Sequence, residues 1–402
     1  MKRIIPIAIL SICFACLTEE SADRGRGSTF VRYINGGFDD QAQAVEETPD
    51  KGFIVLASTQ ITDNNVFVQR SKIKLIKTDP YGNEVWKTLY PAFADVSVDT
   101  FFYKGRDIIV EKDGAGTVNG YTIIGDSINW KTGVSYLYLM QTDTEGNYDR
   151  SKSLAIPDLH GQSIAKDTNG DYLVLAARSD ATNDMVLIKF NQTDLSLAWS
   201  RDHGGGESTY LTNMIVDGSN NIFWGGTVNR GGKTDMRLVS TPPDSETAYD
   251  PTIGLSDFNE ETGGICFYPF GSRLAIVGTT DENGTKDILY KQVSQDGIAT
   301  QFYSKIIGDD DTEEGNAICT TDDGGFLIIG TSGADEEKDY YLIKLNFLGE
   351  VMWSRIFGSK KADKGVSVMQ SSDGSYVILG ATTLGGLGSI MLMKTDANGN
   401  IK

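Results

Sequence analysis

Asp323-Gly-Gly-Phe-Leu-Ile-Ile-Gly330 and Asp373-Gly-Ser-Tyr-Val-Ile-Leu-Gly380 are two copies of one phrase. Each is a turn, an aromatic residue, an Ile/Val-rich run and then a small residue. Asn169-Gly-Asp-Tyr-Leu-Val-Leu-Ala176, Val118-Asn-Gly-Tyr-Thr-Ile-Ile-Gly125 and Asp50-Lys-Gly-Phe-Ile-Val-Leu-Ala57 repeat it, and Asn220-Asn-Ile-Phe-Trp-Gly225 and Ser272-Arg-Leu-Ala-Ile-Val-Gly278 are looser copies. Short apolar runs rich in β-branched residues and bounded by turn residues read as buried strands.

A second run follows each phrase, as in Asp339-Tyr-Tyr-Leu-Ile-Lys344, Asp184-Met-Val-Leu-Ile-Lys189 and Ser389-Ile-Met-Leu-Met-Lys394. Next comes a hairpin signal such as Asp79-Pro-Tyr-Gly-Asn83 or Asp396-Ala-Asn-Gly-Asn400, with Gly where the turn needs a left-handed residue. A further strand then carries Trp86, Trp199 or Trp353. The second runs end at residues 77, 141, 189, 239, 291, 344 and 394, a period of about 50 with one long early step. Four short antiparallel strands per unit, repeated seven times, predict an all-β, seven-bladed β-propeller. The last unit stops before its outermost strand. Thr29-Phe-Val-Arg-Tyr-Ile-Asn-Gly36 matches Met352-Trp-Ser-Arg-Ile-Phe-Gly358, so the N-terminal strand is expected to close the ring.

Three segments follow: residues 1–15, residues 16–28 and a propeller over residues 29–402. Lys2 and Arg3 precede an apolar stretch from Ile4 to Ala15, too short to span a bilayer. It ends in Ala15-Cys16, which resembles a bacterial lipobox. The resemblance implies a signal peptide removed before a lipid-modified Cys16. Glu19-Glu20 resembles the surface-export signal of Bacteroidota lipoproteins, and polar residues up to Ser28 read as a tether. The repeats themselves resemble Bacteroidota outer-membrane propeller lipoproteins and, more loosely, quinoprotein-like propellers. That resemblance implies lipid anchoring at the bacterial outer membrane, with possible exposure at the cell surface.

The net charge is −19 and no basic patch is visible, which argues against a nucleic-acid partner. There are two histidines. His160 in Asp158-Leu-His-Gly161 and His203 in Arg201-Asp-His-Gly204 both read as turn residues. No nucleophile-elbow or zinc-protease motif occurs, and no cofactor or metal set is expected. Asp167-Thr-Asn-Gly-Asp171 lacks the later ligands of a calcium loop and reads as a hairpin turn. Trp86, Trp199 and Trp353 read as packing between blades. The recurrent Asp184, Asp235, Asp287 and Asp339 read as structural, since one site does not need the same residue in each blade; they are expected to accept backbone donors in the preceding loop.

Candidate binding residues are Trp130, in a loop outside the repeat pattern, and the acidic cluster Asp309, Asp310 and Asp311. The expectation is therefore a non-enzymatic, lipid-anchored scaffold or accessory subunit of an outer-membrane transport, secretion or assembly complex. The alternative is a glycan- or peptide-binding or processing enzyme with its site in the channel, marked by inward carboxylates at one mouth. A quinone-cofactor enzyme is disfavoured, because the resemblance ends at the blade Trp. Cys266 and Cys319, about one blade apart, are expected to be two separate buried thiols.

Overall fold

A computed structural model describes residues 29–63, 68–90, 101–154, 156–179, 185–203, 209–242, 253–254, 257–295, 301–309, 311–334, 337–358 and 361–401. Residues 1–28, Cys16 among them, lie outside these, as do Asp184 and Asp310. The described chain forms seven antiparallel sheets. The blades run over residues 39–90, 101–153, 159–203, 209–241, 260–307, 313–357 and 364–395, and are numbered 1 to 7 in that order. Six sheets have four strands; blade 4 has three among the described residues. The seven-bladed propeller read from the repeats is the fold found, and no helix occurs among the described residues.

Ring closure is also as read. Phe30–Ile34 pairs antiparallel with Leu387–Thr395, from Phe30↔Lys394 to Ile34↔Ile390, and becomes the outermost strand of blade 7. Phe30 then does what Trp353 does elsewhere. A Cβ on Gly399, in the hairpin of blade 7, would sit 2.6 Å from the Trp353 ring, and one on Gly82, in blade 1, 2.3 Å from Phe30. Trp86 covers Gly146 in the same way. An outer-strand aromatic thus lies flat on the hairpin glycine of the next blade. Only glycine fits there, because the turn has positive φ and the ring leaves no room for a side chain.

A second device recurs at the turn between the first two strands of four blades. Lys77, Lys344 and Lys394 bury their stems and pair with Asp50, Asp323 and Asp373 at 2.9, 2.9 and 2.8 Å. Lys189 does the same with Asp167 at 2.6 Å. Asp167 also accepts the backbone N–H groups of Asn169 and Asp171, which fixes that segment as a hairpin turn.

Successive blades are joined near the axis. In blades 1, 4 and 5, a hydroxyl on the second strand accepts a backbone N–H from the innermost strand of the next blade. The bonds are Gly105 N–H to Ser58 at 3.1 Å, Thr262 N–H to Thr227 at 2.9 Å and Gly315 N–H to Thr279 at 3.2 Å. Asp287 accepts the side-chain amide of Asn283 at 2.8 Å, and its carboxylate packs against Gly308. At Asp287 a side chain and a glycine contact thus stand where backbone donors had been expected, and Asp235 and Asp339 pack against Gly254 and Gly358.

Cys266 and Cys319 are free and occupy matching places, opposite Ala275 and Leu327 on their second strands. Burial pushes the Cys266 thiol up to about 12 and raises Cys319 as well.

Candidate active site at the channel mouth

Every innermost strand carries a bulge at the same height. The register slips after Ala42, Gly105, Gly161, Leu211, Thr262, Gly315 and Gly365. A bulge leaves a residue unpaired and re-aims it. Here it turns Gln43, Arg106, Gln162, Thr212, Asn213, Gly263, Asn316 and Val366 toward the channel, which they line as two adjoining cavities of about 700 and 480 Å³. The residue that precedes the slip is small in most blades because a neighbouring blade fills the space behind it. A Cβ on Gly365 would lie 2.3 Å from Ile329.

One residue before each small position, the mouth is ringed by Gln41, Lys104, His160, Tyr210, Glu261, Glu314 and Lys364. This ring is not repetitive. Blades 5 and 6 present the inward carboxylates Glu261 and Glu314, the second held by Lys286 at 3.3 Å and Lys338 at 3.2 Å. Blades 2 and 3 present Lys104 and His160. Deeper in the channel the carboxyl of Glu46 is reached by solvent yet surrounded by protein. That crowding, together with the charge of Asp107, pushes it up to about 7 against the pull of Lys112. Burial raises Asp107 too, although it accepts the N–H groups of Ile108 and Ile164 and the Ser163 hydroxyl.

The seam between blades 2 and 3 breaks the repeat. Where blades 1, 4 and 5 place Ser58, Thr227 and Thr279, blade 2 places Asp126, fully buried. Its Oδ1 makes the standard seam bond, accepting Gly161 N–H at 3.0 Å. A carboxylate has a second oxygen where a hydroxyl has none. Oδ2 accepts Arg106 Nε at 3.0 Å and Nη2 at 2.8 Å, and lies 3.4 Å from His160 Nδ1. Ser135 Oγ lies 3.2 Å from the same nitrogen, and Ser179 Oγ lies 3.1 Å from Nε2 on the other side of the ring. His160 is thus on the innermost strand of blade 3, Leu159–Lys166, at the mouth. The turn position read from the sequence is incorrect, because Gly161 serves close packing against Leu137 and not a turn. His203 ends the outermost strand of its blade and packs on Trp224 at 5.5 Å, away from this cluster.

Trp130 and the acidic cluster share this face of the ring but are not brought together. Trp130 is 43% exposed at the rim of blade 2, with Lys131 Nζ 5.5 Å from its ring centre. Asp309 and Asp311 lie between blades 5 and 6, and Asp309 Oδ1 is occupied by Asp311 N–H at 3.0 Å. Among the described residues no three His, Cys, Asp or Glu side chains converge as a metal requires. Sequence reasoning missed Asp126, Arg106 and Ser179. The available signal was Gly125-Asp126 standing where other phrases end Ala57-Ser58, Gly226-Thr227, Gly278-Thr279 and Gly330-Thr331.

No known protein family matches the chain, and no curated protein matches it in sequence. Solved structures do. An ulvan lyase of polysaccharide lyase family PL25 superposes with a TM-score of 0.60 at 11% identity, over 90% of this chain and 95% of that one. The polysaccharide lyase Uly1 gives 0.53 at 12%, over 89% and 90%. A puromycin-hydrolyzing peptidase of Mycobacterium tuberculosis gives 0.54 at 11%, over 90% of this chain but 52% of that one. At these identities the likeness defines the fold class, a seven-bladed β-propeller. It also overturns the expectation of a non-enzymatic protein. The neighbours are enzymes, and two of them share the architecture over most of their own chains. Sites on this fold are assembled from several blades, so a missing contiguous motif was no argument against catalysis.

Proposed function

We propose that the protein is an enzyme acting on an acidic polysaccharide at the mouth of the channel, with His160 as its acid–base group. The supporting observation is the second oxygen of Asp126, which holds Arg106 and lies beside His160 Nδ1. In a repeat protein a residue found in most blades serves the fold, and the single departure invites a functional explanation. Asp126 orients the ring and favours the proton on Nδ1, which leaves Nε2 as the base. Lys104 makes no ion pair among the described residues and stands next in the ring to His160. With Arg106 it forms a cationic edge on a chain of net charge −19, suited to a sugar carboxylate.

On a uronate unit, Nε2 takes the proton α to the carboxylate, the cationic edge stabilises the enolate, and the glycosidic C–O bond at the β carbon breaks, its oxygen taking a proton from water. The products are an unsaturated sugar and a free hydroxyl. The neighbour's substrate fits that chemistry, since the family PL25 lyase is also known bound to a sulfated glycan containing glucuronic acid. The test is ultraviolet absorbance of the new double bond on incubation with uronate polysaccharides. No absorbance change on any of them would refute elimination.

Ser179 supports a second reading, hydrolysis with Ser179 Oγ as nucleophile and His160 as its base. Ser179→Ala separates the two: it abolishes hydrolysis and leaves elimination largely intact.

The proposal extends to location. A lipid on Cys16 with a polar tether would hold the ring at the outer membrane, within reach of extracellular glycans. Intact-mass analysis of the native protein should give a chain that starts at residue 16 and carries added acyl mass. An unmodified N-terminus elsewhere refutes the anchor.

A further inference from the structure

The top edge of blade 2 has two sides. Asp126 and Ser135 face blade 3 and the His160 cluster. Their chain neighbours Ser127 and Tyr136 face the other way, because side chains alternate along a strand. On that other side lies an open cleft of about 370 Å³ whose walls include Phe101, Tyr103, Tyr136 and Tyr138, with Ser127 and Ser153 among its polar lining. The rings form two edge-on pairs: Phe101 and Tyr136 with centres 6.3 Å apart, and Tyr103 and Tyr138 at 5.0 Å. Tyr103 and Tyr138 are anchored in the apolar cluster between blades 1 and 2. Phe101 and Tyr136 stand above it, and all four are half-buried. Trp130 stands in the turn that follows Asn129, the residue paired with Phe101.

We propose that this cleft is a subsite that binds one pyranose ring of an acidic glycan, next to the unit held at His160. The inference rests on the reading of the mouth as a polysaccharide site, and three observations select the occupant. The walls are amphipathic: aromatic faces match the C–H face of a sugar ring, and the Ser127, Ser153 and tyrosine hydroxyls match its rim of hydroxyls. A cation stands at the top of the same blade, with Lys131 over Trp130. The cleft also lies one residue from the mouth cluster, on the opposite face of the same strand, since Ser127 follows Asp126. A polymer that occupies both would cross the top edge of blade 2.

The test is isothermal titration of the full chain with a hyaluronan hexasaccharide, which alternates glucuronate with N-acetylglucosamine. Tyr136→Ala should bind about tenfold more weakly, as loss of a central aromatic contact does. Tyr136→Phe, which keeps the ring and loses one hydroxyl, should lose less affinity than Tyr136→Ala. Trp130→Ala, an exposed rim position that cannot unfold the sheet, should weaken binding as well. Parent-like affinity in both Tyr136→Ala and Trp130→Ala, or no binding by the parent chain, overturns the subsite. Weakened binding in those variants alongside unimpaired turnover by His160→Ala would leave the subsite standing and refute the catalytic reading instead.

Discussion

Asp126 grips Gly161 and, through its other oxygen, approaches His160, the residue just before it. Oδ1 takes the glycine N–H at 3.0 Å and Oδ2 stands 3.4 Å from the imidazole. One side chain therefore serves the fold and the site, and the two roles sit on separate atoms. Asp126→Ser keeps the seam acceptor that Ser58 supplies in blade 1 and removes the second oxygen, the partner of Arg106 and the neighbour of His160. It should melt within a few degrees of the parent while turnover falls by about a hundredfold or more. Asp126→Ala also strips the Gly161 N–H of its partner and should cost about 1–3 kcal/mol. Equal activity in Asp126→Ser and the parent would remove the site from consideration.

Closure of the ring depends on Phe30–Ile34. Deletion of residues 29–35 bares the edge of Leu387–Thr395 and the face of Gly82, so it should lower the melting temperature and promote aggregation. Deletion of 17–26 should do neither. Calorimetry and light scattering on both variants decide the matter, and identical behaviour would contradict closure by this strand.

Cys266 and Cys319 should both take up an alkylating label in denaturant without reductant. In the native state labelling should be slow, because burial holds the thiols protonated; Cys266 is pushed up to about 12. Label that enters only after reduction would reveal a disulfide.

Two carboxylates should tilt the pH dependence of stability in opposite senses. Burial by itself raises Asp373, but bonds from Lys394 and Ser375 outweigh it and hold the group at about 2, below its ordinary 3.8. Its contribution is complete above pH 3.8 and is lost as pH falls through 2. Glu46 is raised from 4.5 to about 7, so it costs stability increasingly as pH rises from 4.5 to 7. Asp373→Asn should therefore melt lower than the parent at neutral pH and converge with it in strong acid. Glu46→Gln should melt higher above pH 7 and converge below 4.5. Thermal melts across that range test both signs.

The architecture was legible because its causes are local. Strand runs such as Phe326–Ser332, hairpin glycines such as Gly82 and the match between Phe30 and Trp353 depend on alternation and turn chemistry within a few residues, and the repeat displays them again and again. The seven blades and the closing strand followed from the amino-acid order alone. The site did not. Asp126 is 34 residues from His160, and His160 is 19 from Ser179. They meet only because the innermost strand of blade 3 is laid against the second strand of blade 2, an apposition set by how one sheet packs on the next. Aligning the repeats would have marked Asp126 as the odd carboxylate in a row of hydroxyl and alanine side chains. Only the packed ring decided that its second oxygen faces a histidine and that four aromatic rings line the other side of the same edge.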